Sequence, residues 1–210
     1  MKIGVIQADS QKDKNELLFN CTKTAVSDST YEVINFGIFA GEEYDFSYIQ
    51  TALCISFLLE SKAVDFIVTG CSSGQGMMLA CNSLPGIVCG YTETVSDAFL
   101  FGRINNGNVL SYPLGLSFGW AAEINLQNVL NALFKEPFGT GYPAAEAERK
   151  RKDAEMLKTI NKIAKKSLPE VISELDKDFV RSVFRRKIVF LYVLEHGKDR
   201  KLADLIRSYM

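Results

Sequence analysis

The sequence predicts an α/β fold in which helices cover both faces of a parallel sheet. Short apolar runs that end at turn residues alternate with stretches of helical length over the first 134 residues. Such alternation is typical of parallel sheets, because each crossover between parallel strands needs a helix. Beyond residue 143 the composition shifts to Ala, Glu, Lys and Arg, which predicts solvated helices rather than further strands.

Five strands and five helices follow in order from this pattern. The strands are expected in KIGVIQA at 2–8, YEVINFGIF at 31–39, AVDFIVTG at 63–70, GIVCGY at 86–91 and NVLSYP at 108–113. The helices are expected over Glu16 to Val26, 48–61, 77–84, 96–104 and Glu123 to Phe134. The strand runs are short, apolar and bounded by turns, which distinguishes them from the longer helical stretches.

The last third of the chain is expected to be helical throughout. KEPFGTGYP at 135–143 is a predicted loop, because Pro and Gly recur in it. A long solvated helix should then run from Ala144 to Lys166, followed by two or three amphipathic helices between Leu168 and Met210. The sequence therefore predicts a main domain over 1–166 and a small helical C-terminal extension over 167–210.

Composition excludes several classes of partner. The chain has 24 Lys and Arg against 25 Asp and Glu, so its net charge is -1, whereas nucleic-acid binding normally leaves a basic footprint. No apolar run approaches the roughly 20 residues that cross a bilayer, and MKIGVIQADS lacks the features of a leader. We therefore expect neither a nucleic-acid nor a membrane partner.

The cysteines indicate a reducing compartment. Five of them are present, an odd number without CxxC spacing, which disfavours both a disulfide framework and a zinc site. We expect a cytoplasmic protein without a bound metal or other cofactor.

The turn TGCSSGQG at 69–76 follows the third predicted strand, where open parallel sheets bind ligands. Gly74 and Gly76 would allow a ligand close to the backbone, although glycines also serve simply to tighten such turns. No GK[ST] follows, so this is not a Walker loop. Cys71 precedes a helix N-terminus, which favours a thiolate able to act as nucleophile or base; the alternative is an inert buried thiol.

Three segments together resemble one family of enzymes. VTGCSSGQGMMLACNSLPGI at 68–87, INNGNVL at 104–110 and DFSY at 45–48 are similar to motifs of the phosphosugar isomerases that include ribose-5-phosphate isomerase B and the galactose-6-phosphate isomerase subunits. The resemblance implies a Rossmann-like three-layer α/β/α fold with a parallel five-stranded sheet. It also implies aldose–ketose isomerisation through an enediolate, in a homodimer or a tetramer with shared sites.

The resemblance also implies roles for individual residues. Cys71 matches the catalytic base, Ser73 matches a hydroxyl beside it, and Asn105 would bind a substrate hydroxyl. The amides around Gly74 and Gly76 would hold the developing negative charge. The other expected substrate-binding residues are Asp9, Ser10, Lys14, Ser72, Asn82, Asn106, Arg149 and Arg151.

Departures from the family pattern bear on the substrate. Ser10 and Ile104 stand where the family has histidines, one of which opens the sugar ring. Tyr142 and Pro143 stand where a phosphate-binding arginine is expected, although Arg149 or Arg151 could serve instead.

A longer subgroup, similar to isomerases of 4-deoxy-5-keto-uronates, shares DSQKDKN at 9–15, FGW at 118–120 and GYP at 141–143. In such an enzyme Lys14 would meet the substrate carboxylate. The substrate is thus either a small sugar phosphate or an open-chain sugar acid. A non-catalytic sugar-binding sensor that keeps the fold is the alternative function.

Overall fold

A computed structural model describes all residues from 1 to 210. Its five strands form one parallel sheet in the order β2-β1-β3-β5-β4. The strands are β1 Lys2–Ile6, β2 Glu32–Gly37, β3 Phe66–Cys71, β4 Cys89–Tyr91 and β5 Val109–Pro113. The predicted α/β fold with a parallel five-stranded sheet is confirmed.

Ten α-helices surround and extend this sheet. Those of the sheet region are α1 Asn15–Ala25, α2 Tyr48–Glu60, α3 Gln75–Asn82, α4 Val95–Leu100, α5 Ala122–Phe134 and α6 Ala147–Ala164. The last four are α7 Leu168–Glu174, α8 Lys177–Phe184, α9 Lys187–His196 and α10 Arg200–Tyr209. A 3-10 turn at Asp9–Lys14 precedes α1, and a π-helical turn at Phe101–Asn105 follows α4.

Two hydrophobic cores lie on opposite faces of the sheet. Successive side chains of a strand point to opposite faces, so Ile67 joins the core beneath α2 and α3 whereas Phe66 and Val68 join the core beneath α1 and α5. Every residue of β3 is buried, as expected for a central parallel strand. The carboxyl end of β3, which carries Cys71, is therefore held from both sides.

The C-terminal extension contains four helices, so the expectation of two or three was wrong. Asp176 and Asp199 accept hydrogen bonds from the amides of Phe179 and Leu202, and each thereby begins a new helix. All four helices contribute to the core beneath α2. Residues 51–59 of α2 are buried without interruption, because the sheet covers one side of this helix and the extension another. The boundary predicted near Ser167 falls at the cap of α7.

None of the helices combines the length and the apolar character needed to cross a lipid bilayer.

Candidate active site

The turn after β3 has a backbone conformation that needs glycine at one position. Gly74 has φ +72°, and a Cβ there would lie 2.8 Å from the Tyr91 ring and 2.9 Å from the Pro113 nitrogen. Because L residues avoid this region of φ, Gly74 lets the chain turn sharply from β3 into α3. Gly76 has ordinary space around it, with Tyr48 at 3.5 Å from its Cβ position.

The segment after β5 holds this turn in place. The amide of Leu114 donates to the Cys71 carbonyl at 2.9 Å, and the amides of Gly115 and Leu116 donate to the Ser72 carbonyl at 2.8 and 2.7 Å. The Ser111 hydroxyl donates to the Gly74 carbonyl at 2.6 Å. The carbonyl groups of Cys71, Ser72 and Gly74 are thus fixed, and the Gly74 amide is used within the turn, since it donates to the Cys71 carbonyl at 3.2 Å.

The two amides directly after Cys71 are free to bind a ligand. The backbone N–H groups of Ser72 and Ser73 donate no hydrogen bond within the chain. Both follow Cys71, whose side chain is 8% exposed, and the Ser73 side chain is half-buried. A thiol, a hydroxyl and two free N–H groups are thus carried by three consecutive residues of the turn, a set of groups that can supply a base and bind an oxyanion.

The segment after β1 completes the carboxyl edge of the site. The Ala8 amide donates to the Gly70 carbonyl at 2.9 Å, which brings the following residues next to the turn. Gln11 Nε2 donates to Ser72 Oγ at 2.9 Å, and Ser72 Oγ lies 3.3 Å from Ser10 Oγ. Lys14 Nζ donates to Gln11 Oε1 at 2.8 Å, so the Gln11 side chain links the Lys14 ammonium to the turn.

Asp9 lies in the same segment, and one of its carboxylate oxygens lacks a hydrogen-bond donor. Its Oδ1 is shielded from solvent and accepts no hydrogen bond, although Lys12 Nζ lies 3.5 Å away. Lys12 Nζ also donates to the Glu42 carbonyl at 3.0 Å. Buried acceptors are normally satisfied, so this oxygen is a candidate acceptor for a hydrogen bond from a ligand.

Other predicted site residues lie elsewhere within this chain. Asn105 and Asn106 precede β5, at the amino end of the sheet, whereas Cys71 pairs with Pro113 at the carboxyl end. The strand from Val109 to Pro113 alone spans about 13 Å at about 3.3 Å per residue. The sheet therefore separates both asparagines from Cys71.

Three further predicted residues are engaged in internal contacts. Asn82 exchanges two hydrogen bonds of 2.9 Å with the backbone of Cys89 and so joins α3 to β4. Arg149, on the exposed surface of α6, pairs with Glu146 just before the helix and with Asp153 one turn along it. Arg151 donates to the Gly139 carbonyl at 2.6 Å. None of these contacts involves the Cys71 turn.

Gln11, Lys12 and Tyr91 contact the predicted site residues Ser72, Asp9 and Gly74, although no motif of the sequence singles them out. Tyr91 lies against Gly74, and its hydroxyl donates to Glu93 at 2.9 Å. Burial, together with the hydrogen bond and charge of Glu93, raises the pKa of Tyr91 to about 12. The polar run DSQKDK was a usable signal for Gln11 and Lys12, whereas Tyr91 carried none.

The only histidine of the chain lies outside this site. His196 ends α9 in the extension, where its ring is 4.2 Å from the Tyr192 ring and 3.7 Å from a Glu195 oxygen. These contacts are within α9 itself, so within one chain no imidazole reaches Cys71 or Asp9.

Comparison with known proteins gives one family. The family model described as ribose/galactose isomerase matches residues 5–136. The crystal structure of a 4-deoxy-L-threo-5-hexosulose-uronate ketol-isomerase complexed with tartrate is 37% identical, with a TM-score of 0.94. A ribose-5-phosphate isomerase from Vibrio parahaemolyticus is 33% identical, with a TM-score of 0.92. Both alignments cover 100% of this chain and 99% of the other.

Shorter proteins share the fold. The type B ribose 5-phosphate isomerase of Trypanosoma cruzi is 18% identical, with a TM-score of 0.64, over 78% of this chain and 98% of its own. Among curated protein sequences the comparison finds no match.

Proposed function

The chain belongs to the ribose/galactose isomerase family and is an aldose–ketose isomerase, and we propose that its substrate is an open-chain 4-deoxy-5-keto-uronate and its base is Cys71. The Cys71 thiolate would remove the proton from the hydroxyl-bearing carbon next to the aldehyde. The Cys71 thiol, which exchanges its proton with solvent, would then protonate the former aldehyde carbon of the enediolate, while the hydroxyl proton of the neighbouring carbon passes to the former aldehyde oxygen. Negative charge develops on the aldehyde oxygen in between.

The free groups around Cys71 support this assignment. The N–H groups of Ser72 and Ser73 donate to nothing within the chain and would stabilise the enediolate oxygen, with the Ser73 hydroxyl beside them. Asp9 and Ser10 would bind substrate hydroxyls. Lys14, fixed by Gln11, would meet the substrate carboxylate.

One observation favours an open-chain sugar acid over a cyclic sugar as the substrate: the single histidine lies in α9 rather than at Cys71. Ring opening of a cyclic sugar needs a proton donor and acceptor that titrates near neutral pH, which imidazole supplies best. An open-chain substrate does not need it. Arg149 and Arg151 are engaged with Glu146, Asp153 and Gly139, which disfavours a phosphate ligand at this turn.

We further propose that the active enzyme is a homodimer in which Asn105 of one subunit completes the site of the other. The sheet separates Asn105 from Cys71 within one chain, so only a second copy can bring the two together. The helix α6 exposes an apolar row to solvent. Its members are Met156, Leu157, Ile160 and Ile163, with exposures from 44% to 79%. Exposed apolar patches of this kind mark interfaces.

The state of the cysteines favours a cytoplasmic location for this protein. All five cysteines are free thiols, as expected for a chain kept in a reducing compartment.

The reaction is tested by proton NMR in deuterated water, with the keto-uronate, ribose 5-phosphate and galactose 6-phosphate as substrates. We expect isomerisation of the keto-uronate, with deuterium incorporated at the former aldehyde carbon. Cys71→Ala should lower kcat by about 10²–10⁴-fold, the usual contribution of a general base. Cys21→Ala is the matched control, because Cys21 is also 8% exposed but lies in the opposite core.

Each part of the proposal has its own contrary result. Full activity of Cys71→Ala would remove Cys71 from the mechanism. Preferential turnover of a sugar phosphate would overturn the keto-uronate assignment. Binding of the keto-uronate by calorimetry without any turnover would favour the non-catalytic sensor.

A further inference from the structure

One arginine of the C-terminal extension reaches the edge of the sheet next to the site. Arg186 lies between α8 and α9 and is only 7% exposed. Its Nε and Nη2 donate to the Phe36 carbonyl at 3.1 and 2.6 Å, and its Nη1 pairs with Glu42. Its guanidinium also lies 5.5 Å from the Phe39 ring centre. A single side chain thus binds both β2 and the segment 38–47 that leads to α2.

Glu42 is held firmly at the other end of this contact. The Phe39 amide donates to Glu42 Oε1 at 2.9 Å. Burial opposes the charge of Glu42, but the hydrogen bonds from Arg186 and the Phe39 amide outweigh it, so the pKa of Glu42 lies below its usual range. The Glu42 side chain is therefore an anion at neutral pH, and it locks segment 38–47 onto the extension.

Segment 38–47 in turn contacts the candidate active site. The Glu42 carbonyl accepts a hydrogen bond from Lys12 Nζ at 3.0 Å, and Lys12 Nζ lies 3.5 Å from Asp9 Oδ1. A second link runs from the Asp9 amide to the Phe46 carbonyl at 3.4 Å. Both ends of Asp9, its main chain and its carboxylate, thus depend on where segment 38–47 lies.

We infer that Arg186 is a positioning residue for the isomerase reaction, acting through Glu42 and Lys12 to orient the Asp9 carboxylate toward the substrate. The inference rests on the proposed function, in which Asp9 binds a substrate hydroxyl. It gives the extension a role in the reaction beyond covering α2. Arginine suits this role because its planar fork makes several directed hydrogen bonds at once, which a lysine at the same place cannot reproduce.

The test compares Arg186→Met, Arg186→Lys and Asp9→Asn in the full-length protein, with the keto-uronate as substrate. Arg186→Met should raise KM about tenfold and change kcat less, because Asp9 binds substrate rather than transferring the proton. Arg186→Lys should have an intermediate KM. In the double variant Arg186→Met with Asp9→Asn, KM should equal that of Asp9→Asn alone, because both changes remove the same contact.

Arg181→Met is the matched control, since Arg181 lies in the same extension and pairs only with the exposed Asp178. Its KM should equal the wild-type value. Hydrogen exchange adds a readout that does not depend on substrate: amides of 38–47 should exchange faster in Arg186→Met and normally in Arg181→Met.

Three results would overturn the inference. The first is an unchanged KM in Arg186→Met, and the second is a KM effect that simply multiplies with that of Asp9→Asn. The third is a wild-type protein without isomerase activity. That result would contradict the proposed function as well as this inference. It is distinguished from the first two because the wild-type enzyme itself is inactive.

Discussion

At the scale of single residues, the turn after β3 depends on the left-handed conformation of Gly74. Gly74→Ala should destabilise the fold by about 1–3 kcal/mol, because the new Cβ adds strain at positive φ and meets Tyr91 and Pro113 at 2.8 and 2.9 Å. Chemical denaturation of the purified variant measures the loss. The same change should also displace the Ser72 and Ser73 amides and lower isomerase activity.

Gly76→Ala is the control for this prediction. A Cβ at Gly76 would make ordinary contact with Tyr48 at 3.5 Å, and Gly76 has no positive φ. We expect its stability to remain within about 0.5 kcal/mol of the wild-type value. Equal stability losses in the two variants would show that positive φ at Gly74 is not what constrains the turn.

Single residues also show how far the sequence alone can specify a site. The turn at Cys71 is local, so its place after a buried strand could be predicted from neighbouring residues. The contact between Arg186 and Phe36 joins residues 150 positions apart, and no nearby pattern marks either one. Asn105 illustrates a different limit: its place in the sequence motif does not reveal that the length of the sheet separates it from Cys71.

At the scale of helices and strands, the extension and α2 form one packed unit. Phe190 of α9 is fully buried, with its ring centre 5.2 Å from that of Phe57 in α2 and 4.3 Å from that of Phe184 in α8. Phe190→Ala should cost about 3–5 kcal/mol, the usual range for removing a buried aromatic ring. Because Phe57 belongs to the sheet region, the whole chain should still unfold in one transition.

Leu191→Ala is the matched change on the same helix, because Leu191 is 54% exposed. Its cost should stay within about 0.5 kcal/mol. Denaturation followed by circular dichroism and by tyrosine fluorescence separates the outcomes. Two distinct transitions in the Phe190→Ala protein would mean that the extension is stable apart from α2.

The elements were predictable to different degrees for a physical reason. Strands and helices of the sheet region alternate, and each has its own period of apolar residues, so their order follows from the sequence. The extension has no such alternation, and its helix ends depend on single caps such as Asp176 and Asp199. A short capped break inside a continuously amphipathic stretch is easily read as one helix instead of two.

At the scale of the whole molecule, the separation of Cys71 from Asn105 has a direct consequence for a dimer. If each site takes Cys71 from one subunit and Asn105 from the other, then Cys71→Ala and Asn105→Ala each inactivate both sites of their own dimer. A mixed dimer of the two variants contains one site with both residues intact and one site lacking both. Isomerase activity should therefore return when a Cys71→Ala subunit and an Asn105→Ala subunit form one dimer, although neither variant is active alone.

The two variants are co-expressed with different affinity tags, and the mixed dimer is purified over both tags. With one intact site of two, it should have about half the wild-type activity, and randomly mixed subunits should have about a quarter. The control is a dimer in which both subunits carry Cys71→Ala and each has a different tag, and it should stay inactive. Ile160→Asp, which places a charge on the exposed apolar row of α6, should yield monomers by light scattering and lose activity. No recovery in a stable mixed dimer would show that Cys71 and Asn105 do not share a site across the interface.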